Sequence, residues 1–471
     1  MVGLPPNAHH RFPQRAALHR RVVWVPKRHP ASRAHRELMR ARRRCILIES
    51  RRRASYPMGS TTFTMRKLIV LSLISLTLPA LAIDWPQWRG PNRDGINTEK
   101  NLLDEWPEDG PKLLWRAKGV GAGFSSVVSS GGVLYTLGDV DDACYLIALD
   151  TKGNHLWKGR VGDPQGHRGY PGPRSTPTIA GGKAYALGQH GDLVCFDLKA
   201  KKESWRVNVA SDFGGQMMSG WRWSESPLVD GDKVVVTPGG SKGAMIALNK
   251  DNGEVIWRCK DFKDRAGYSS IIIREIGGQR QYIQLTGESV VGVDAGNGKL
   301  LWQAARKGRT AVISTPVYDK GHLFVTSAYN VGCNGFKVSY ENGEFTAKEI
   351  YKHAGSVGMA NHHGGAIRVG DHVYGSNGGN LSCIELGTGK VMWNERSAGK
   401  GAIIVVGGKI ILRTERGPVS LVKLSPDGYE EISRFEQPDR TRARAWSHPI
   451  VSDGVLYLKD QDTLFAYDLR K

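Results

Sequence analysis

The stretch Ala247-Leu-Asn249-Lys-Asp-Asn252-Gly253-Glu-Val-Ile-Trp257 reads as a strand, a tight turn and a second strand within eleven residues. Gly253 offers the positive φ that short hairpins need, and the Asn and Asp before it tie down the turn backbone. The phrase recurs at 195–205 (CFDLKAKKESW), 292–302 (GVDAGNGKLLW) and 383–393 (CIELGTGKVMW), and one residue shorter at 148–157 (ALDTKGNHLW). A Trp at one fixed place in each unit predicts a large ring wedged between neighbouring units.

A second phrase precedes each of these, a Gly or Asp turn followed by an alternating apolar run. It begins at Gly132, Gly182, Asp232, Gly321, Asp371, Gly408 and Gly454, with a looser member at Gln281. Val133 to Val455 spans 322 residues in seven intervals, about 46 each, a period that signals a propeller or solenoid. Each unit holds about four short strands, and a sheet of that size buries both faces only within a closed ring. The last unit, 447–471, lacks its Trp strand, and a spare one stands at the front as Pro111-Lys-Leu-Leu-Trp115-Arg. The expectation is an all-β, eight-bladed β-propeller closed by an N-terminal strand in the last blade. Tyr351 and Phe435 stand where two units would carry Trp, which keeps seven blades as the alternative.

The phrase Ala-x-Asp-x-x-Thr-Gly-x-x-x-Trp resembles the repeat of the pyrroloquinoline-quinone (PQQ)-like β-propellers. The resemblance covers roughly Trp85 to Lys471, and residues 84–95 (DWPQWRGPNRDG) are similar to the start of secreted bacterial members. It implies the fold more than any activity, since one scaffold hosts unrelated functions.

Charge is uneven along the 471 residues. The whole chain carries +21, but 1–64 alone holds 15 Lys and Arg against 2 acids and has no apolar period. Such a stretch does not bury enough apolar surface to order itself. Met65-Arg66-Lys67, the apolar run to Leu78 and Pro79-Ala80-Leu81-Ala82 then form the three parts of a secretory signal. The run is short for a membrane span of about 20 residues. The expected organisation is therefore a basic leader from a start placed too far upstream (1–64), a signal peptide (65–82), an irregular extension packed over the ring (83–110) and the propeller (111–471). Beyond residue 82 the chain has 49 Lys and Arg against 43 acids, so a nucleic-acid partner loses its support, and no nucleic-acid-binding motif replaces it. The expected location is periplasmic or secreted, with no transmembrane segment in the mature chain.

Five cysteines follow the signal. Cys195 and Cys383 occupy the small-residue slot of the phrase, where Ala148, Ala247, Gly292 and Ala466 stand elsewhere, and read as buried packing residues. No CxxC is present, and the odd number leaves at least one unpaired.

In a propeller, the segment running into each innermost strand reaches the mouth of the central channel. Here those segments carry Tyr170, Arg174, Trp221, Trp223, Glu225, Tyr268, His362, His363, Arg444, Trp446 and His448. Aromatic walls, several cations and one acid suit a planar, anionic or polar ligand. His362 and His363 are adjacent, so on a strand they would point to opposite faces and could not share one metal without a kink; no metal site is expected. No nucleophile elbow, HExxH or paired-carboxylate spacing stands out, and no catalytic residue is assigned.

The expected function is a non-catalytic binding or scaffold protein holding a protein, glycan or small ligand at one channel mouth. In architecture it would resemble the propeller lipoprotein of outer-membrane β-barrel assembly, without that protein's lipid-anchoring Cys. The alternative implied by the resemblance is a quinoprotein dehydrogenase using PQQ and calcium on alcohols or sugars. That family carries a vicinal Cys-Cys pair, which this chain lacks.

Overall fold

The structure is a computed structural model that describes residues 84–471 apart from Gly364. The leader and signal segments expected over 1–64 and 65–82 lie outside the described residues. Eight small sheets stand in a ring and form an eight-bladed propeller. Blades 1 to 7 run in chain order, from Val128–Ser130 in the first to Glu431–Glu436 in the seventh. Blade 8 combines Ile450–Ser452, Val455–Asp460 and Thr463–Asp468 with the N-terminal strand Lys112–Lys118. Ring closure by that strand follows the expectation: Trp115 stands opposite Ala466, as Trp257 stands opposite Ala247 in blade 3. Among the described residues there is no helix, hence none long and apolar enough to cross a membrane.

Strand register explains the repeated phrase. In blades 3, 4 and 6 the slot residue faces the Trp directly, as Ala247–Trp257, Gly292–Trp302 and Cys383–Trp393, and the ladder bulges one step later. The ring then needs a small neighbour: a Cβ on Gly292 would lie 2.1 Å from Trp302. The turn glycine receives the ring of the preceding blade. Gly298 (φ 76°) of blade 4 lies beneath Trp257 of blade 3, where a Cβ would come within 2.4 Å of the ring. Tyr351 takes the Trp role in blade 5, facing Gly335 in register and packing on Gly389 of blade 6. The two units without Trp are therefore full blades, and the count is eight. The five cysteines among the described residues are free and buried.

The hydrophobic cores lie between blades. One packs Tyr185, Cys195 and Trp205 of blade 2 against Val234, Ile246 and Leu248 of blade 3, and the largest spans the closing seam of blades 7, 8 and 1.

The N-terminal extension corrects the sequence reading. Residues 84–97 run inside the channel rather than over the ring. Trp85 exchanges two backbone hydrogen bonds with Ser129 of blade 1, and Pro86 accepts one from Ile179 of blade 2. Arg93 donates to the carbonyls of Ser226 and Pro227 at blade 3, and Arg89 donates to Ala366 at blade 6. Ile96–Asn97 pairs in parallel with the innermost strand of blade 7, and the Asn97 amide reaches Val451 of blade 8. The physical reason is that innermost strands present unpaired backbone groups to the channel, and a polar, turn-rich segment satisfies them. Its turns carry Arg89 (φ 61°) and Arg93 (φ 55°) in the left-handed region, a cost of order 1–3 kcal/mol each that the many anchoring bonds offset.

Candidate functional site

The loops leading into the innermost strands meet at one end of the channel. A chain of hydroxyls links five of them in an arc, from blade 8 through blades 1, 2 and 3 to blade 4. Ser126 accepts from the His448 amide at 2.8 Å, Thr176 from Ser126 at 3.2 Å, Ser226 from Thr176 at 3.0 Å and Ser270 from Ser226 at 3.0 Å. Each bond joins one blade to the next. The sequence signal, unread above, is a Ser, Thr or His before Pro at 176–177, 226–227 and 448–449.

Against this arc lies a cavity of about 110 Å³ with aromatic walls. Trp221 stacks flat on His167, with centroids 3.9 Å apart and planes 3° apart. Tyr170 leans on Trp221 at 5.5 Å and on Trp446 at 4.8 Å, and Phe124 meets Trp446 at 4.6 Å. The Arg174 guanidinium lies over the Phe124 and Trp221 rings at 5.2 and 5.4 Å, a cation–π arrangement. It donates to the carbonyls of Tyr170 and Gly172 and forms no ion pair with a carboxylate among the described residues. Burial pulls its pKa down to about 10, so it stays charged at neutral pH.

A second group organises the opposite wall around Glu415. Its carboxylate accepts from His363 Nε2 at 3.2 Å and from Trp446 Nε1 at 3.0 Å. Lys400 and Arg444 both pair with it at 3.3 Å. Burial alone would raise this carboxyl, but the His363 and Trp446 hydrogen bonds and the positive charge of Lys400 hold it well below the usual range. His448 Nε2 donates to the His363 carbonyl at 2.6 Å, and Lys400 donates to His362 Nδ1 at 3.0 Å. Burial lowers His362 and His448 to about 3 and also lowers His363 despite Glu415. All three imidazoles are neutral at pH 7, which leaves Arg174 as the one charged residue of the cavity lining.

Of the residues singled out in the sequence, Arg174, Trp221, Tyr268, His362, His363, Trp446 and His448 line this cavity. Tyr170 completes its aromatic wall. His362 and His363 both face it, contrary to the alternation expected of a strand, because the chain bends there and the rule of opposite faces applies only to extended backbone. Trp223 instead packs in the core between blades 2 and 3. Glu225 is buried away from the cavity, where it accepts from the Thr237 amide at 2.7 Å, and burial raises it to about 8. Arg444 acts only through Glu415. Trp88, Phe124, Lys400 and Glu415 were not singled out. Glu415 sits in a turn between strands rather than in a leading loop, and Trp88 comes from the channel segment.

Among the described residues no three His, Cys, Asp or Glu side chains are grouped to hold a metal. The donor set does not fit a quinone with calcium. Calcium needs several oxygen ligands, whereas the cavity lining has no carboxylate and the nearby Glu415 is fully engaged.

Fold and repeat together define a PQQ-repeat β-propeller. Residues 145–395 match the family model described as outer membrane protein assembly factor BamB, more than half of the chain, and the chain belongs to this family. The outer membrane protein assembly factor BamB of Shewanella oneidensis is 23% identical over 298 residues, covering 60% of this chain and 71% of that protein. Its counterpart in Xanthomonas campestris is 24% identical over 367 residues, covering 66% and 84%. Among solved structures, BamB from Moraxella catarrhalis superposes with a TM-score of 0.53 at 15% identity, covering 76% of this chain and 97% of that one. Quinohemoprotein alcohol dehydrogenase from Comamonas testosteroni gives 0.57 at 15%, covering 83% and 81%. The likeness to both an assembly factor and a dehydrogenase establishes the fold alone.

Proposed function

We infer that this protein is a non-catalytic binding propeller of the cell envelope, exported through residues 65–82, with its ligand or partner held at the aromatic mouth. The observation that carries this reading is the pairing of half-exposed rings, Trp221, Tyr170 and Trp446, with an Arg174 that no carboxylate neutralises. Rings that merely filled the taper would be sealed, and a cation kept for stability would be paired. The titratable groups of the opposite wall support holding rather than turnover. Glu415 is bound by four partners, and His363 Nε2 and His448 Nε2 are each committed to a fixed bond. The assembly-factor names of the curated relatives favour the same class.

The test is a titration of the purified protein with PQQ, with and without Ca²⁺, followed by melting temperature and by reduction of a dye acceptor with alcohols and sugars. No calcium-dependent stabilisation by PQQ and no dye reduction are expected. Saturable PQQ binding with dye reduction would replace this reading by the dehydrogenase one. Export is checked separately by sequencing the N-terminus of the protein recovered from the envelope fraction, expected near Ile83.

A further inference from the structure

The channel segment and the mouth meet at one side chain. Trp88 rises from residues 84–97 into the cavity lining. Its indole Nε1 donates to Thr315 Oγ1 at 2.9 Å, and its ring lies 4.5 Å from that of His448. The segment that carries it is braced across the channel, by Arg93 toward blade 3 and by Arg89 toward blade 6. Gly90 (φ 80°) turns the chain just after it, and the Trp85 ring lies so close beneath that a Cβ there would come within 2.9 Å. The position of Trp88 is thus fixed by groups that belong to no single blade.

We propose that residues 84–97 are a built-in stopper of the channel, and that Trp88 on it is the floor of the binding site and touches a flat, anionic aromatic ligand admitted from the mouth alone. This rests on the reading of the mouth as a binding site and adds which residue closes it and what enters. The walls offer ring faces on several sides, the lining contains no acid, and Arg174 is its single charge. A flat anion gains stacking and a charge partner there, whereas a cation meets only Arg174. Hydroxyls of Ser226 and Ser270 occupy the same lining but each accepts from the backbone of the preceding blade, so they fix the blade spacing more than the site's chemistry.

The experiment labels the full chain with 5-fluorotryptophan and titrates it with 1-anilinonaphthalene-8-sulfonate, a flat aryl anion, while following the fluorine spectrum. Trp88→Phe, Trp221→Phe and Trp446→Phe assign three signals, and Trp257→Phe assigns a control from a seam between blades. The expected result is a saturable shift of the Trp88, Trp221 and Trp446 signals with one common dissociation constant and a still Trp257 signal. Trp88→Phe should weaken the dye about three- to tenfold, as loss of part of a stacking surface does. Shifts of Trp221 and Trp446 with a still Trp88 would overturn the floor and leave the mouth reading intact. Still signals from all three would overturn both.

Discussion

Tryptophan plays two parts in this molecule. Between blades, Trp257 lies on Gly298 of the next blade, faces Ala247 in register and is 8% exposed. At the mouth, Trp221 and Trp446 lie against other rings, with centroids 6.3 Å apart, and stay half-buried. The seam ring is placed by backbone, through a small residue opposite and a glycine beneath. The mouth ring is placed by side chains alone and keeps a face open. The difference separates what the repeat needs for its own stability from what it has to spare.

The sharpest way to break this contrast is to truncate one ring of each kind. Trp257→Ala empties a sealed seam and should cost about 3–5 kcal/mol in urea unfolding. Trp221→Ala removes a half-open ring and should cost about 1 kcal/mol or less. Equal costs would mean that the mouth is packed as a core. Gly298→Val tests the seam from its other side. It meets the Trp257 ring and a left-handed φ together, and should cost about 2–4 kcal/mol by the same measurement.

Acid should act on the mouth before the seams. The three cavity histidines have folded pKa values lowered by burial, so the unfolded chain takes protons first as pH falls below about 6.5. Their contribution is full above that value and is lost progressively below it, down through the folded values. Glu415, also lowered, adds its loss once pH falls below about 4. Lowering the pH from 7 to 5 should therefore reduce stability by about 1–3 kcal/mol, and His448→Gln should flatten that slope. Glu225 runs the other way. Its carboxyl, raised to about 8 by burial, costs stability as pH rises from the unfolded value near 4.5 toward 8. Glu225→Gln should thus gain on the wild type in melting temperature between pH 5 and pH 8.

The seam was legible because both of its partners recur in the chain. Glycine, small slot and Trp keep fixed spacing, so the missing Trp strand of the last blade could be matched to Trp115. Tyr351 obeyed the same geometry under another letter, since Gly335 faces it where Gly292 faces Trp302. The mouth was legible only by position. Irregular loops carry no period, so nothing distinguished Trp221, which faces the cavity, from Trp223 two residues on, which turns into a core. Glu415 lies outside the leading loops, and its role depends on His363 and Trp446, neighbours in space far along the chain. Trp88 was hidden for a further reason: its segment reads as an outer extension, and only the unpaired inner edges of the ring draw it inside.

One experiment tests the division directly. Melting temperature and affinity for 1-anilinonaphthalene-8-sulfonate are measured side by side for wild type, Trp257→Ala and Trp221→Ala. The expected result is a split: Trp257→Ala melts early and, where still folded, binds the dye as wild type does, while Trp221→Ala melts near wild type and loses the dye. A Trp221→Ala protein that melts early and binds unchanged would make the mouth ring structural and contradict the binding site.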